Sequence, residues 1–281
     1  MDIGYCYIMK SKKYLLAFLS IILIMGFSKV PFNAPYQENN DEHLSTKSKP
    51  FKSGEKLTYV LHYGIFNAGV AEISIKETKK GLFGNKKVLN LVGKGKTTGS
   101  TDLFYKVRDH YESYIDSETM EPLKFKRRVD EGGYKISQDY IFYPDSNQVI
   151  TQDAKKFNVT EGVQDMISAF YFARTLEFSK SKIGDIYEIP AFVDNEVFTL
   201  KLQFAGRETI KLRSGKYKCL KFNPVVQEGR VFKTKDDLEV WVTDDKNKIP
   251  ILVKVNIVVG SVKMELTEYE GLAHDISIVT K

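Results

Sequence analysis

The sequence predicts a mainly β protein: a large curved antiparallel sheet, of half-barrel or barrel-like form, with one central amphipathic helix. Three observations lead there. From Phe51 to about Glu270, short β-branched and aromatic runs of alternating polarity are separated by Gly, Asn, Asp or Pro turns, the pattern of half-buried strands joined by hairpins. One stretch, residues 163–176, drops the period of two for the helical period. No unit of fixed length recurs along the 281 residues, which argues against a propeller or solenoid.

The chain opens on Lys10, Lys12 and Lys13 running into the apolar segment Tyr14–Phe27. A basic start before about fourteen apolar residues has the form of a secretory signal and falls short of the roughly twenty a spanning helix needs. Small residues at Gly26 and Ser28 place the expected cut after Ser28, with an uncleaved anchor as the alternative. A lipoprotein would carry a cysteine directly after the apolar run, whereas the two cysteines are Cys6 and Cys219. Export to the periplasm or cell envelope, without a lipid anchor, is therefore expected. Residues 29–50 include Pro31, Pro35, Asn39, Asn40 and Pro50 and read as a flexible linker. Residues 51–272 read as a single β-rich domain and 273–281 as a C-terminal tail.

Within the domain, 57–63, 70–75, 134–143, 197–204 and 238–242 alternate as strands. Gly132-Gly133, Asp244–Asn247 and the stretch with Gly81, Gly84 and Asn85 supply hairpin turns. In 163–176, Val163, Met166, Ile167, Phe170, Ala173 and Leu176 recur at three and four. Asp165 suits the first turn, where a negative charge meets the positive end of the helix dipole. A lone helix in a β chain packs on the sheet, plugging or flooring its curve.

Lysine and arginine exceed aspartate and glutamate by 42 to 36, a formal charge of +6. The leader holds three lysines against Asp2, so the remainder keeps about +4, spread among interspersed acids. The densest basic cluster, Lys124, Lys126, Arg127 and Arg128, is expected to be a solvated strand face. With no aromatic and basic recognition motif, nucleic acid is not an expected partner. Loss of Cys6 with the leader leaves Cys219 alone, so no internal disulfide forms, and strand alternation places that thiol among apolar groups. A chain of about 250 residues buries about three quarters of its unfolded surface, enough for one large core without staples.

Gly93-Lys-Gly-Lys-Thr-Thr-Gly99 ends like a phosphate loop, but that motif needs glycine five residues before Gly95, where Asn90 stands. No nucleotide is expected. His43, His62, His110 and His274 are scattered and none has metal-ligand spacing, so no metal or other cofactor is expected. Asp236-Asp237 and Asp244-Asp245 are paired acids of the kind glycoside hydrolysis uses. Adjacent strand residues point to opposite faces, however, and both pairs sit in turn-like sequence. No Gly-x-Ser-x-Gly elbow is present.

Aromatic content stands out, with sixteen tyrosines and eighteen phenylalanines. Tyr59, Tyr63, Tyr111 and Tyr140 lie on predicted strands, where a phenol can stack and hydrogen-bond in a groove, and Phe170 lies on the helix. Trp241 shares a strand face with Glu239 and Thr243, opposite Leu238, Val240 and Val242. These six are the candidate ligand-binding residues; the alternative for each is a sheet-face or core role set by strand propensity.

Gly54-Glu-Lys-Leu-Thr-Tyr59, Tyr63-Gly64, Ala68-Gly69, Arg174-Thr-Leu176, Gly184-Asp185, Val240-Trp-Val-Thr-Asp-Asp245, Ile249-Pro250 and Gly260 follow one another across nearly the whole domain. In these blocks the chain resembles the domain of unknown function 3108 family of exported bacterial proteins. The resemblance implies export and one β-rich domain, and the family has no established activity to carry over. By architecture the chain is also similar to the half-barrel lipid and lipoprotein carriers of the cell envelope, in which a curved antiparallel sheet wraps around helices.

Three functions stand as expectations. A non-catalytic envelope binding module, with a lipid, lipoprotein or envelope glycan as partner and peripheral contact with a membrane, predicts an apolar concavity under the helix. A structural or assembly factor of the envelope predicts a filled interior with an exposed apolar patch or unpaired edge strand. An enzyme acting on envelope glycans predicts carboxylates converging in a cleft, with at least one strongly perturbed ionisation.

Overall fold

The computed structural model describes residues 49–79, 81–225, 238–256 and 260–279. The leader with its expected cut after Ser28, nearly all of the linker, His43 and the pair Asp236-Asp237 lie outside the described residues.

Alternation makes strands here, and strands consecutive in the chain mostly pair with each other. The strands are β1 (Lys56–Tyr63), β2 (Phe66–Glu77), β3 (Val88–Thr97), β4 (Val107–Asp116), β5 (Pro122–Glu131), β6 (Tyr134–Tyr143), β7 (Gln148–Thr151) and β8 (Lys156–Asn158), followed by β9 (Ile186–Val193), β10 (Glu196–Leu212), β11 (Gly215–Pro224), β12 (Leu238–Thr243), β13 (Pro250–Asn256) and β14 (Ser261–Glu270). All belong to one antiparallel sheet in the order β8-β7-β6-β5-β4-β3-β2-β1-β14-β13-β12-β11-β10-β9. The chain thus starts mid-sheet, winds out to the β8 edge, crosses over, and returns from the β9 edge until β14 docks on β1. Between β5 and β6 the whole connection is Gly132-Gly133, with φ of 59° and 93°, the left-handed pair that a two-residue hairpin turn demands.

The crossing segment carries the central helix, Met166–Thr175. It is shorter at its start than the periodicity suggests because Asp165 caps it rather than joining its first turn. The Asp165 carboxylate accepts the backbone N–H of Ile167 at 2.8 Å and of Ser168 at 2.9 Å, and Ser168 Oγ accepts the Asp165 N–H at 2.8 Å. Ser113 Oγ on β4 donates to the same carboxylate at 2.5 Å, tying the cap to the sheet. The helix sits close against β3: a Cβ at Gly93 would stand 2.9 Å from Ile167 Cδ1. The glycine that superficially suggested a phosphate loop therefore serves packing.

Two edges of the open sheet are drawn together around this helix. Gln164, just before it, donates to the Pro190 carbonyl and accepts from the Phe192 N–H, each at 2.8 Å, as a parallel bridge to β9. The Phe192 ring meets those of Tyr140 and Phe157 at 5.1 and 5.2 Å between centroids. Arg127 and Gln138 both donate to Asp194 Oδ1 at 3.0 Å, fastening β5 and β6 to the β9–β10 turn. The result is a barrel-like form whose hydrogen-bonded sheet stays open.

Register fixes which side chains face the helix. Ala71, Gly95, Asp109, Val129 and Ile136 lie in one row across β2 to β6, and Ile73, Gly93, Tyr111, Arg127 and Gln138 in the next. Both rows face inward. The expected basic strand face is therefore split: Lys124, Lys126 and Arg128 turn outward, while Arg127 is buried. Period-two geometry forces this, since neighbours on a strand cannot share a face.

Outside the barrel, the tail covers β11. Ile278 bridges Tyr217, the Val279 N–H donates to the Lys216 carbonyl at 2.7 Å, and Asn247 Nδ2 donates to the His274 carbonyl at 2.9 Å. Cys219 is buried beneath this layer, and burial pushes its thiol up to about 12. A second, short helix, Gly99–Phe104, forms between β3 and β4, where alternation gave no sign of one. Among the described residues, no helix is long and apolar enough to cross a membrane.

Candidate functional site

Between the central helix and the inner face of the sheet lies an apolar cavity of ≈ 180 Å³. Small residues create it: Ala71 and Gly95 on the sheet, and Ala169 and Ala173 on the helix, leave space that larger side chains would take. Phe198, Leu200 and Leu202 of β10 and Val240 and Val242 of β12 line it and are only partly buried although they face inward. Phe198, Leu202, Val240 and Val242 pack on the neighbouring core on one side and border open space on the other. The volume is close to the roughly 150 Å³ of an engineered apolar cavity that admits benzene and below the roughly 300 Å³ of a small drug site.

At one end the cavity is floored by Arg174 near the end of the helix. Its guanidinium donates to Glu55 Oε1 at 2.6 Å and Oε2 at 2.8 Å, to the Pro50 carbonyl at 3.1 Å and to the Asn247 carbonyl at 3.0 Å. The rings of Phe51 and Tyr171 each lie 5.2 Å from its central carbon. This buried ion pair is fully engaged and ties the entry to β1, the helix and the β12–β13 turn together.

Toward the opposite end stands Asp109, two residues into β4 and 5 % exposed. It lines the cavity, and neither carboxylate oxygen makes a hydrogen bond of good geometry, although the Asp130 N–H and Glu131 approach it. Beside it are the buried Glu131 and Arg127, whose positive charge already faces Asp194. Burial is the main cause that pushes the Asp109 carboxyl up to about 6, opposed by the Asp130 N–H, Glu131 and Arg127. Burial also pushes the capping Asp165 up to about 6 against the donors that hold it.

A pH dependence follows with a definite sign. Both carboxyls start from 3.8 in an ordinary setting, so between about pH 4 and 6 the folded chain holds protons that the unfolded chain has lost. The stability they contribute is complete below about pH 4 and is lost as pH rises through about 6. Exposed paired acids such as Asp102 and Asp153 pull the other way, but solvent screens them. Asp109→Asn is therefore expected to gain on the wild type from pH 4 to 7 by on the order of 1–2 kcal/mol, read from urea unfolding at each pH. A pH-independent difference would refute the assignment.

Of the six residues singled out in the sequence, Phe170 lines the cavity. Tyr59, Tyr111 and Tyr140 are buried in the core, and Tyr63 packs its ring against the backbone at Gly260. Trp241 is buried on the opposite side of β12 from Val240 and Val242, donates to Glu208, and lies beneath the ammonium groups of Lys221 and Lys254 at 5.0 and 4.5 Å. The structure does not bring the six together. Sequence reasoning missed Asp109, Arg127 and Glu131, yet a signal existed: each is a charge set in the apolar phase of a strand, between Val107 and Tyr111 or flanking Val129. His110 pairs with Glu112 at 2.8 Å on the outer face. Among the described residues, no three His, Cys, Asp or Glu side chains gather as a metal site.

The sheet end nearer Asp109 also carries the exposed apolar side chains Ile65 and Phe66 in the β1–β2 hairpin and Leu103 and Phe104 on the short helix, 66–90 % exposed. Exposed Lys96, Lys106 and Lys263 lie at the same end.

A family model described as "Protein of unknown function (DUF3108)" matches residues 58–267. No curated protein matches the chain. Among solved structures, the chain is similar to a β-barrel-like protein of domain of unknown function DUF1849 from Brucella abortus, with 8% identity and a TM-score of 0.49, over 79% of this chain and 98% of that one. It is similar to a DUF1089 family protein from Pseudomonas aeruginosa, with 10% identity and a TM-score of 0.38, over 67% of this chain and 90% of that one. A Bacteroides fragilis protein with YmcC-like fold, described as a candidate exported protein, gives 9% identity and a TM-score of 0.30, over 79% and 98% of the two chains.

Proposed function

The chain belongs to the DUF3108 family of proteins of unknown function, and because membership assigns no activity, we propose from its geometry that it is a non-catalytic envelope carrier for a single-chain hydrophobic ligand. The observation that carries this reading is the unfilled apolar cavity beside the central helix. An empty core cavity costs roughly 24 cal/mol per Å³, or about 4 kcal/mol over this volume. A protein with a purely structural interior would recover that by closing around larger side chains; here the residues at 71, 95, 169 and 173 are all glycine or alanine.

Delivery of such a ligand calls for contact with a lipid surface. Ile65, Phe66, Leu103 and Phe104 protrude singly from two neighbouring connections, and Lys96, Lys106 and Lys263 flank them, a combination suited to an anionic bilayer. The export signal read in the sequence, with a site of action in the periplasm or envelope, belongs to the same proposal. A second reading, an enzyme acting on envelope glycans, draws support from Asp109 beside Glu131. Only Asp109 of that pair lines the cavity, so two carboxyls do not face one bond.

The test is incubation with phosphatidylglycerol vesicles doped with a long-chain fatty alcohol, followed by sedimentation and native mass spectrometry of the re-isolated protein. Vesicle association that drops in an Ile65→Ser, Phe104→Ser double variant, and a retained single-chain lipid, are the expected results. Protein that neither associates with vesicles nor retains a chain would overturn the proposal.

A further inference from the structure

The cavity has an apolar body and one buried carboxyl facing it, to which no neighbour makes a hydrogen bond of good geometry. We propose that Asp109 is the headgroup site of the cavity, accepting hydrogen bonds from the amino or hydroxyl end of a single-chain amphiphile whose tail lies along the central helix. This rests on the cavity being the ligand site.

Strand register sends the Asp109 side chain inward, opposite Gly95 on β3 and Val129 on β5, so no bulky neighbour on β3 stands between it and the cavity. By distance and angle its two oxygens have no hydrogen-bond partner although the residue is 5 % exposed; the Asp130 N–H and Glu131 approach the carboxyl and offset only part of the cost of burial, which donors from a ligand would relieve further. The choice of head follows from the charges around it. Asp109, Glu131 and Asp194 set three carboxyls against the single guanidinium of Arg127, which donates to Asp194 at 3.0 Å and to Gln138 at 3.4 Å. Other cations along the cavity are engaged or turned away. Arg174 is bound to Glu55, Lys248 lies 5.9 Å over the Phe178 ring, and Lys94 points to the outer face of β3. A ligand carboxylate or phosphate would meet surplus negative charge, whereas an amine or hydroxyl meets a carboxyl whose oxygens can accept from it.

The probes are octylamine, octanol and octanoate, which share one tail and differ in the head, titrated into the wild-type protein by calorimetry at neutral pH. Amine and alcohol are expected to bind at least about tenfold more tightly than the carboxylate, the effect of one hydrogen bond to a charged group. Asp109→Asn is expected to bring the three within about twofold of each other while keeping the thermal unfolding transition. The wild-type comparison stands alone if the variant fails to fold. Equal binding of all three probes would remove the headgroup assignment and leave the cavity reading intact. Binding of none would remove both.

Discussion

Replacing Arg174 with methionine is expected to destabilise the fold by about 3–5 kcal/mol, the cost of leaving a buried charge without its partner. Glu55 is completely buried and its two carboxylate oxygens each take a guanidinium N–H, so Arg174 is the counter-charge that compensates its burial. The same substitution also strands the carbonyls of Pro50 and Asn247, which join the approach to β1 and the β12–β13 turn to the helix. Urea unfolding should show the midpoint collapse in the single variant. Glu55→Leu with Arg174→Met should recover much of the loss, because removing both charges ends the desolvation problem that removing one creates. A single variant within about 1 kcal/mol of the wild type would mean that solvent reaches Glu55 and that the helix is not clamped at this end.

The strands were legible because period two is a local signal: Tyr134–Tyr143 has the bounds alternation predicts, and Gly132-Gly133 forms the two-residue hairpin its glycines demand. β10 runs to Leu212, well past the predicted end at Phe204, because a bulge at Gly206 lets the strand bend and keep pairing with β11. The helix was legible from spacing, though its start was not, since only the contacts of Asp165 with Ser113 and Ser168 show that it caps. The short helix Gly99–Phe104 buries no residue and so leaves no apolar stripe to read. For the site, aromatic residues were a poor guide. Tyr111 and Tyr140 fill the core, whereas the cavity is made by absent side chains, at Ala71, Gly95 and Ala173, and absence carries no pattern until register places the sheet positions on one face. The inward charges were visible in principle as breaks in apolar phase. A break marks a functional candidate only once the space beside it is known, and that space depends on which strands end up opposite each other.

Filling the cavity should separate carrier from scaffold more sharply than any change at its rim. Ala173→Phe places a ring from the helix into the space faced by Val240 and Val242, and is expected to abolish octanol binding in calorimetry. The empty protein should meanwhile become more stable by about 1–2 kcal/mol, since burying an aromatic side chain in a pre-existing void gains transfer energy without new strain, less a few tenths for lower helix propensity. The opposite signs matter. A protein selected only for its fold gains from a filled interior and has no reason to keep alanine at 169 and 173, whereas a carrier gives up stability to keep room for its ligand. If Ala173→Phe bound octanol as the wild type does, the chain would lie elsewhere on the molecule. If the variant lost stability by more than about 1 kcal/mol, the space would be too narrow for a ring, and a single alkyl tail could not enter it either.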